Sequence, residues 1–262
     1  MALSPNLNVM VAAARKAARG LVRDFGEVEN LQVSRKGPAD FVSNADRRAE
    51  ETIRRELERA RPGYGFLMEE SGEAAGKDTS HRWIVDPLDG TTNFLHGVPH
   101  WCISIGLERD RKIIAAVVYA PVANEMFLAE RGQGATLNER KRLRVSARTH
   151  LPDALIACGM PFLGRGDGAR FQAELRRVQG EVSGIRRFGA AALDLAWVAA
   201  GRYDGFWERG LKPWDIAAGA LIVKEAGGAV TDLDGSDRWL RTGDVLASND
   251  VLHAELAARI RG

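Results

Sequence analysis

Between Trp83 and His96 the chain reads Trp-Ile-Val-Asp-Pro-Leu-Asp-Gly-Thr-Thr-Asn-Phe-Leu-His. An apolar strand runs straight into two aspartates, Asp86 and Asp89, followed by Gly90, Thr91 and Thr92. Carboxylates at a strand end can hold hard cations such as Mg2+, which prefer oxygen ligands. Backbone N–H groups after Gly90 can receive a phosphate where a helix opens. Parts for a cation and parts for a phosphate thus lie side by side, and phosphate-ester chemistry needs both. Asp-Pro-x-Asp-Gly by itself also spells a β-turn. The two readings are compatible, since a tight turn can aim two carboxylates and the Leu88 carbonyl at one point.

Two more acidic points stand elsewhere in the chain. Glu69-Glu70-Ser71 follows an apolar run at 65–68. Alone it reads as a solvated loop. If its strand ends on the same side as the strand before Asp86, Glu69 comes near Asp86. Converging carboxylates repel, and without a cation some must take up protons. A divalent ion removes that conflict. Asp215 precedes the apolar run Ile216-Ala-Ala-Gly-Ala-Leu221. Alone it reads as a helix N-cap worth about 1 kcal/mol, and spacing does not separate cap from ligand. Other chemistries lack their signatures. There is no Gly-x-x-x-x-Gly-Lys loop, no His-Glu-x-x-His zinc spacing, and no Gly-x-Ser-x-Gly elbow. Gly164-Arg-Gly-Asp-Gly168 lacks strand-then-helix context and reads as a loop.

The elements that must position these groups follow from periodicity. A helix is expected over 5–25 and another over 44–60, opened by Ser43 with Asp46 three residues on and stopped by Pro62-Gly63. Strands follow at 65–68, 82–85, 101–108, 113–120 and 125–130, with Arg109-Asp110-Arg111 as a hairpin loop. After residue 150 strands (154–158, 184–188, 203–207, 229–232, 244–248) interleave with helices (168–180, 190–200, 215–226, 250–261), so helices should cover a second sheet. The division expected is an N-terminal α+β lobe over 1–150 and a C-terminal α/β lobe over 151–262, tightly packed.

The 262 residues, 45% hydrophobic and 27% charged, have the balance of an ordinary soluble globular protein. A net charge of +2 gives no argument for nucleic acid. The short basic run Arg140-Lys-Arg-Leu-Arg144 reads as a solvated loop leading into a strand. Cys102 and Cys158 imply no disulfide framework, which fits a reducing cytoplasm. The first 23 residues are basic and acid-free, like a transit peptide, but their helical periodicity favours a structural first helix.

Taken together, these segments resemble the inositol monophosphatase family of Mg2+-dependent, Li+-sensitive phosphatases. The likeness is carried by Glu69-Glu70-Ser71, by Asp86-Pro-Leu-Asp-Gly-Thr-Thr-Asn-Phe94, and by Trp214-Asp-Ile-Ala-Ala-Gly219 through Glu225-Ala-Gly-Gly228. Arg187-Phe-Gly-Ala-Ala-Ala-Leu-Asp-Leu195 and Gly205-Phe-Trp-Glu208 also fit. The blocks occur in order along nearly the whole chain, which is far more specific than any one of them. The resemblance implies an α/β (α+β) fold, a layered α-β-α-β-α sandwich, and a homodimer. It implies Glu69, Asp86 and the Leu88 carbonyl as ligands of a first Mg2+. Asp86, Asp89 and Asp215 become ligands of a second, and a third, weaker ion leans on Glu69. Gly90 and Thr91 would hold the phosphate, and Thr91 backed by Asp46 would orient the attacking water. Lys36 matches a loop lysine near the site. Gly189, Ala191 and Glu208 fall where the family contacts inositol hydroxyls.

The chemistry so implied is direct attack by water on a phosphomonoester, with ions about 3.5–4 Å apart clamping the attacking and leaving oxygens. Thr-Thr-Asn-Phe after the aspartates and the carboxylate of Glu208 favour inositol monophosphate as substrate. Fructose 1,6-bisphosphate, histidinol phosphate and phosphoadenosine phosphate are the alternatives within the family. Arg187-Phe-Gly and the stretch from Gly201 to Asp215 resemble bacterial members in particular, one of which serves RNA polymerase. Association with RNA polymerase is therefore a second expectation.

Overall fold

Apolar residues recur every three to four positions from Leu7 to Leu21, and that stripe builds the outermost layer. The computed structural model describes residues 3–27, 33–37, 40–162, 164 and 166–262, the side chains of 33–37 and 40–43 excepted. Helix α1 (Pro5–Phe25) is capped by Ser4, whose Oγ accepts from the Leu7 N–H at 3.2 Å. Pro5 fits the first helical turn, where its missing N–H costs nothing. Strands β1 (Val33–Gly37) and β2 (Asp40–Ser43) form an antiparallel pair that periodicity did not indicate. Helix α2 (Asn44–Ala60) follows where expected and buries Ala45, Ala49, Ile53 and Leu57 against α1. The Ser43 side chain, expected to cap it, lies outside the described residues.

The strands β3 (Tyr64–Met68), β4 (Gly72–Ala74), β5 (Asp78–Asp89), β6 (Cys102–Arg109), β7 (Lys112–Ala120), β8 (Glu125–Glu130), β9 (Gly134–Leu137) and β10 (Lys141–Arg142) form one sheet. Its order is β10-β9-β8-β7-β6-β5-β3-β4. All its pairs are antiparallel except β3 with β5. A short helix, α3 (Thr91–Leu95), leaves the end of β5.

A second sheet takes β11 (Leu155–Cys158), β12 (Gly184–Arg186), β13 (Gly205–Glu208), β14 (Gly228–Thr231) and β15 (Val245–Asn249) in the order β12-β11-β13-β15-β14. The helices of this half are α4 (Gly168–Gln179), α5 (Ala191–Ala199), α6 (Pro213–Glu225), α7 (Trp239–Thr242) and α8 (Asp250–Arg261). Several bounds differ from expectation: β5 covers 78–89 rather than 82–85, β12 stops at 186 rather than 188, and β13 covers 205–208 rather than 203–207. Helix α6 opens at Pro213, because proline is preorganised for the first turn. The one-turn α7 is too short to leave a periodic signal.

Three apolar clusters give the layering. The first joins α1 and α2 to Trp83, Val85, Ile103, Ile105 and Val117 on one face of the large sheet. The second joins Ile84, Cys102, Val118 and Phe127 on the opposite face to α5, α6 and Phe206, Val230 and Ala247 of the small sheet. The third closes the outside with Phe171, Val178, Leu252 and Leu256 from α4 and α8. The sequence is helices, sheet, helices, sheet, helices, as the family resemblance implied. Strands β5 to β8 are buried on both faces, so their runs are continuously apolar rather than alternating. Helix α6 buries every residue from Ile216 to Val223, as a helix in a central layer must. Its last residue, Glu225, reaches the large sheet, where its carboxylate accepts from the N–H groups of Gly132 and Gly134, both at 2.8 Å.

The central layer tolerates little added volume. A Cβ on Gly219 of α6 would stand 2.6 Å from the Cβ of Leu195 on α5. We expect Gly219→Ala to destabilise the protein by about 1–3 kcal/mol, despite a gain in helix propensity of about 1 kcal/mol. Urea unfolding followed by circular dichroism measures this. An unchanged or raised midpoint would show that the two helices can separate freely.

Candidate active site

Strands β3 and β5 run parallel and therefore end on the same side. The Glu69 N–H donates to the Val85 carbonyl at 3.2 Å, which sets Glu69 beside Asp86 as the sequence led us to expect. Asp86 and Asp89 are three residues apart, and in a regular strand they would face opposite sides. The pairing with β6 breaks between them: Asp86 sits opposite Ser104 and Asp89 opposite Cys102. Three steps on β5 thus match two on β6, a bulge that turns both carboxylates the same way. Pro87, with no N–H to leave unpaired, suits that bulge.

Each acid is held by a different part of the fold. The Asp86 Oδ1 accepts from the Leu88 N–H at 2.9 Å. The Asp89 Oδ2 accepts from the Ala192 N–H at 2.7 Å, at the start of α5, and from the Cys102 thiol at 3.7 Å. Asp215 is the third residue of α6, not its cap, and its Oδ2 accepts from the Lys212 N–H at 2.7 Å. The Ser104 hydroxyl donates to the Trp214 carbonyl at 3.0 Å and so ties the start of α6 to β6 beside Asp86. Oxygens of Asp46, Glu69 and Glu70 all lie within 4.8 Å of one another. Glu50, which the sequence did not single out, accepts from the Glu70 N–H at 2.8 Å and fixes that turn.

Gly90 follows with φ +91°, a left-handed conformation that a side chain would strain, and its Cβ would stand 2.9 Å from the His100 carbonyl. It releases the chain into α3. The Thr91 hydroxyl donates to the Leu88 carbonyl at 2.9 Å and lies 3.4 Å from the Asp46 Oδ2. Gly189 and Ala191 flank Ala190, whose Cβ lies 3.2 Å from where a Gly90 Cβ would stand. They therefore sit at the α5 side of the cleft. Glu208, at the end of β13, lines a cavity of about 380 Å3 together with Asp215, Gly159, Phe162 and Trp207. The Lys36 side chain lies outside the described residues.

The electrostatics follow from burial. Asp86 is 2% exposed and Asp89 9%. Burial pushes the Asp86 carboxyl well above the usual range, and the charges of Glu69, Asp89, Asp215 and Asp46 add to it in that order. Burial also raises Asp89, followed by Asp215, while the Ala192 N–H opposes. Glu208 is raised by burial and then by Asp215, Asp194 and Asp89, with Arg187 opposing. Asp194 and Arg187 lie inside a matched sequence block, but nothing in their spacing marked them as electrostatic neighbours of Glu208. The strongest charged influences on Asp86 are four acids. An all-oxygen donor set with so much like charge fits a divalent cation.

Acids gathered at one strand end, beside a helix start and with Asp215 lining an adjoining cavity, have the architecture of a phosphate-ester site served by cations. The family model for the inositol monophosphatase family matches residues 2–262. An inositol-1-monophosphatase of Mesorhizobium japonicum is 60% identical over 261 residues, covering 100% of this chain and 98% of its own length. The Nus factor SuhB of Pseudomonas aeruginosa is 46% identical over 251 residues, covering 94% of this chain and 92% of its own. The crystal structure of extragenic suppressor protein suhB from Bartonella henselae superposes with a TM-score of 0.96 at 58% identity, covering 98% of this chain and 99% of that one. The chain belongs to the inositol monophosphatase family. That family implies a divalent metal, and the acidic cleft fits one. Among the described residues no helix is long and apolar enough to cross a membrane.

The raised carboxyls carry a sign that can be measured. For Asp86 and Asp89 the folded value lies above the unfolded one, about 3.9. Their contribution to stability is fully present below pH ~3.9 and is lost as pH rises through the folded values. In chelator at neutral pH, Asp89→Asn should therefore melt above the wild type, and the gap should close toward pH ~4. With a divalent cation added, the order should reverse. Calorimetry across pH tests both; parallel curves in chelator would show that Asp89 carries no burden of charge.

Proposed function

We propose that this cleft hydrolyses inositol monophosphate to inositol and phosphate by direct attack of water, with Mg2+ as the cation. The protein is a phosphoric monoester hydrolase of the inositol monophosphatase family. The single observation that carries the reading is the gathering of Glu69, Asp86, Asp89 and Asp215 at one strand end, beside the turn at Gly90 and Thr91. Glu69, Asp86 and the Leu88 carbonyl would hold one Mg2+, and Asp86, Asp89 and Asp215 a second, with a third and weaker ion against Glu69. When bound, such ions lower the pKa of water and neutralise charge on the leaving oxygen.

The chain's own groups do the rest. The Thr91 hydroxyl, fixed between the Leu88 carbonyl and Asp46, is placed to orient the water. Backbone N–H groups at Gly90 and Thr91 hold the phosphate oxygens. Gly189, Ala191 and Glu208 receive the inositol hydroxyls, Glu208 from the cavity it lines with Asp215. Asp86 and Asp89, buried at the strand end, act with little screening by water. The inositol-1-monophosphatase name of the Mesorhizobium japonicum relative supports this substrate. A homodimer, Li+ sensitivity and a cytoplasmic location belong to the same reading.

The Pseudomonas aeruginosa relative, named a Nus factor, supports a second role in association with RNA polymerase. That role would use surface residues rather than the cleft. Capture of RNA polymerase from the native host by both the wild type and Asp89→Asn would establish it, and capture by neither would exclude it.

The function is tested by phosphate release from inositol 1-phosphate, fructose 1,6-bisphosphate, histidinol phosphate and phosphoadenosine phosphate, each with and without Mg2+. Inositol 1-phosphate should be turned over fastest and only with the ion. Asp89→Asn should lower turnover by several orders of magnitude while the circular dichroism spectrum is kept. A nearly unchanged rate at saturating Mg2+ would remove Asp89 from the ligand set, and a trapped phosphoenzyme would refute direct attack by water.

A further inference from the structure

Gly159 follows the last residue of β11, and its N–H donates to the Trp207 carbonyl of β13 at 3.0 Å. The two strands run parallel with Cys158 opposite Trp207, so the next pair across is Gly159 and Glu208. Both residues line the same cavity. A Cβ on Gly159 would fall 1.8 Å from the Glu208 Cδ, 2.0 Å from Oε2 and 2.2 Å from Oε1. The whole carboxylate therefore rests in the space that a side chain would fill. Backbone conformation does not call for this glycine, since Gly159 is not among the residues with positive φ. Room is the reason for it.

We propose that Gly159 is a positioning residue that seats the Glu208 carboxylate and thereby sets selectivity for polyol phosphates. The proposal rests on the reading of Glu208 as the acceptor of substrate hydroxyls. Any side chain at 159 expels the carboxylate from its seat. The open space beside it is the cavity itself, where the polyol would lie. The acceptor is then lost and the polyol's volume is obstructed at once. The atoms displaced are the end of a flexible side chain, so the fold survives and specificity changes.

The test is a double-mutant cycle of Gly159→Ala and Glu208→Ala, read as the ratio of kcat/KM for inositol 1-phosphate to that for p-nitrophenyl phosphate, which carries no polyol. Each single variant should lower the ratio by about tenfold or more, the effect of losing a hydrogen bond to a charged group. Adding Gly159→Ala to Glu208→Ala should change it no further, because the carboxylate to be displaced is already gone. An unchanged ratio in Gly159→Ala, or an equal additional loss in the Glu208→Ala background, overturns the seat. An unchanged ratio in Glu208→Ala instead overturns the reading of Glu208 itself. If Gly159→Ala fails to fold and Glu208→Ala restores it, the collision between the two is confirmed directly.

Discussion

Mutual repulsion among carboxylates forced together at one strand end is the constraint around which this protein is arranged. Asp86 is all but removed from water, and its largest charged influences are four other acids. Such a group is costly to bury in its ionised form. The fold meets that cost only in part. One N–H supports Asp86 and one supports Asp89, which leaves most of the oxygen lone pairs free of backbone donors. A cluster of this kind trades stability for affinity toward a cation, a trade common at functional sites.

Stacking in five layers is what makes the convergence possible. The acids come from α2, from the end of β3, from the end of β5 and from the start of α6. Two sheets that met directly would bring no helix N-terminus to this point. With α5 and α6 wedged between them, the starts of both helices open toward the bulge in β5. Close packing holds that wedge in place: Gly219 and Leu195 leave no room for a methyl group between the helices. Residues from before and after position 150 share this central core, and the Glu225 carboxylate at the end of α6 is bound by the β8–β9 turn.

Small residues recur where the chemistry requires room. Gly90 lets the chain turn out of β5 within contact of the His100 carbonyl. Gly159 leaves space for a carboxylate across two parallel strands. In both places it is the missing side chain that matters. Each sets where a neighbouring polar group stands, and position within about an ångström is what active-site groups depend on.

Much of this was legible in the sequence. Periodicity located α1, α2, the meander β5 to β8 and the interleaved second half, because long elements repeat their burial pattern many times. Several separated acidic blocks in order identified the family and the chemistry. The short pieces were not legible: β1–β2 and α7 are each too brief to repeat a pattern. Asp215 read by itself as a helix cap, because an acid just before an apolar run suits a cap as well as the first turn, and Pro213 opens α6 two residues earlier. Likewise the influence of Asp194 and Arg187 on Glu208 depends on distance through space. The sequence by itself determined which groups are present and which elements carry them, since composition and period are local properties. The tertiary structure alone decided that a bulge turns Asp86 and Asp89 to one side, that α5 and α6 begin beside them, and that Glu208 fits where Gly159 has no side chain. Electrostatic fields and excluded volume act between atoms that are near in space, however far apart they lie along the chain.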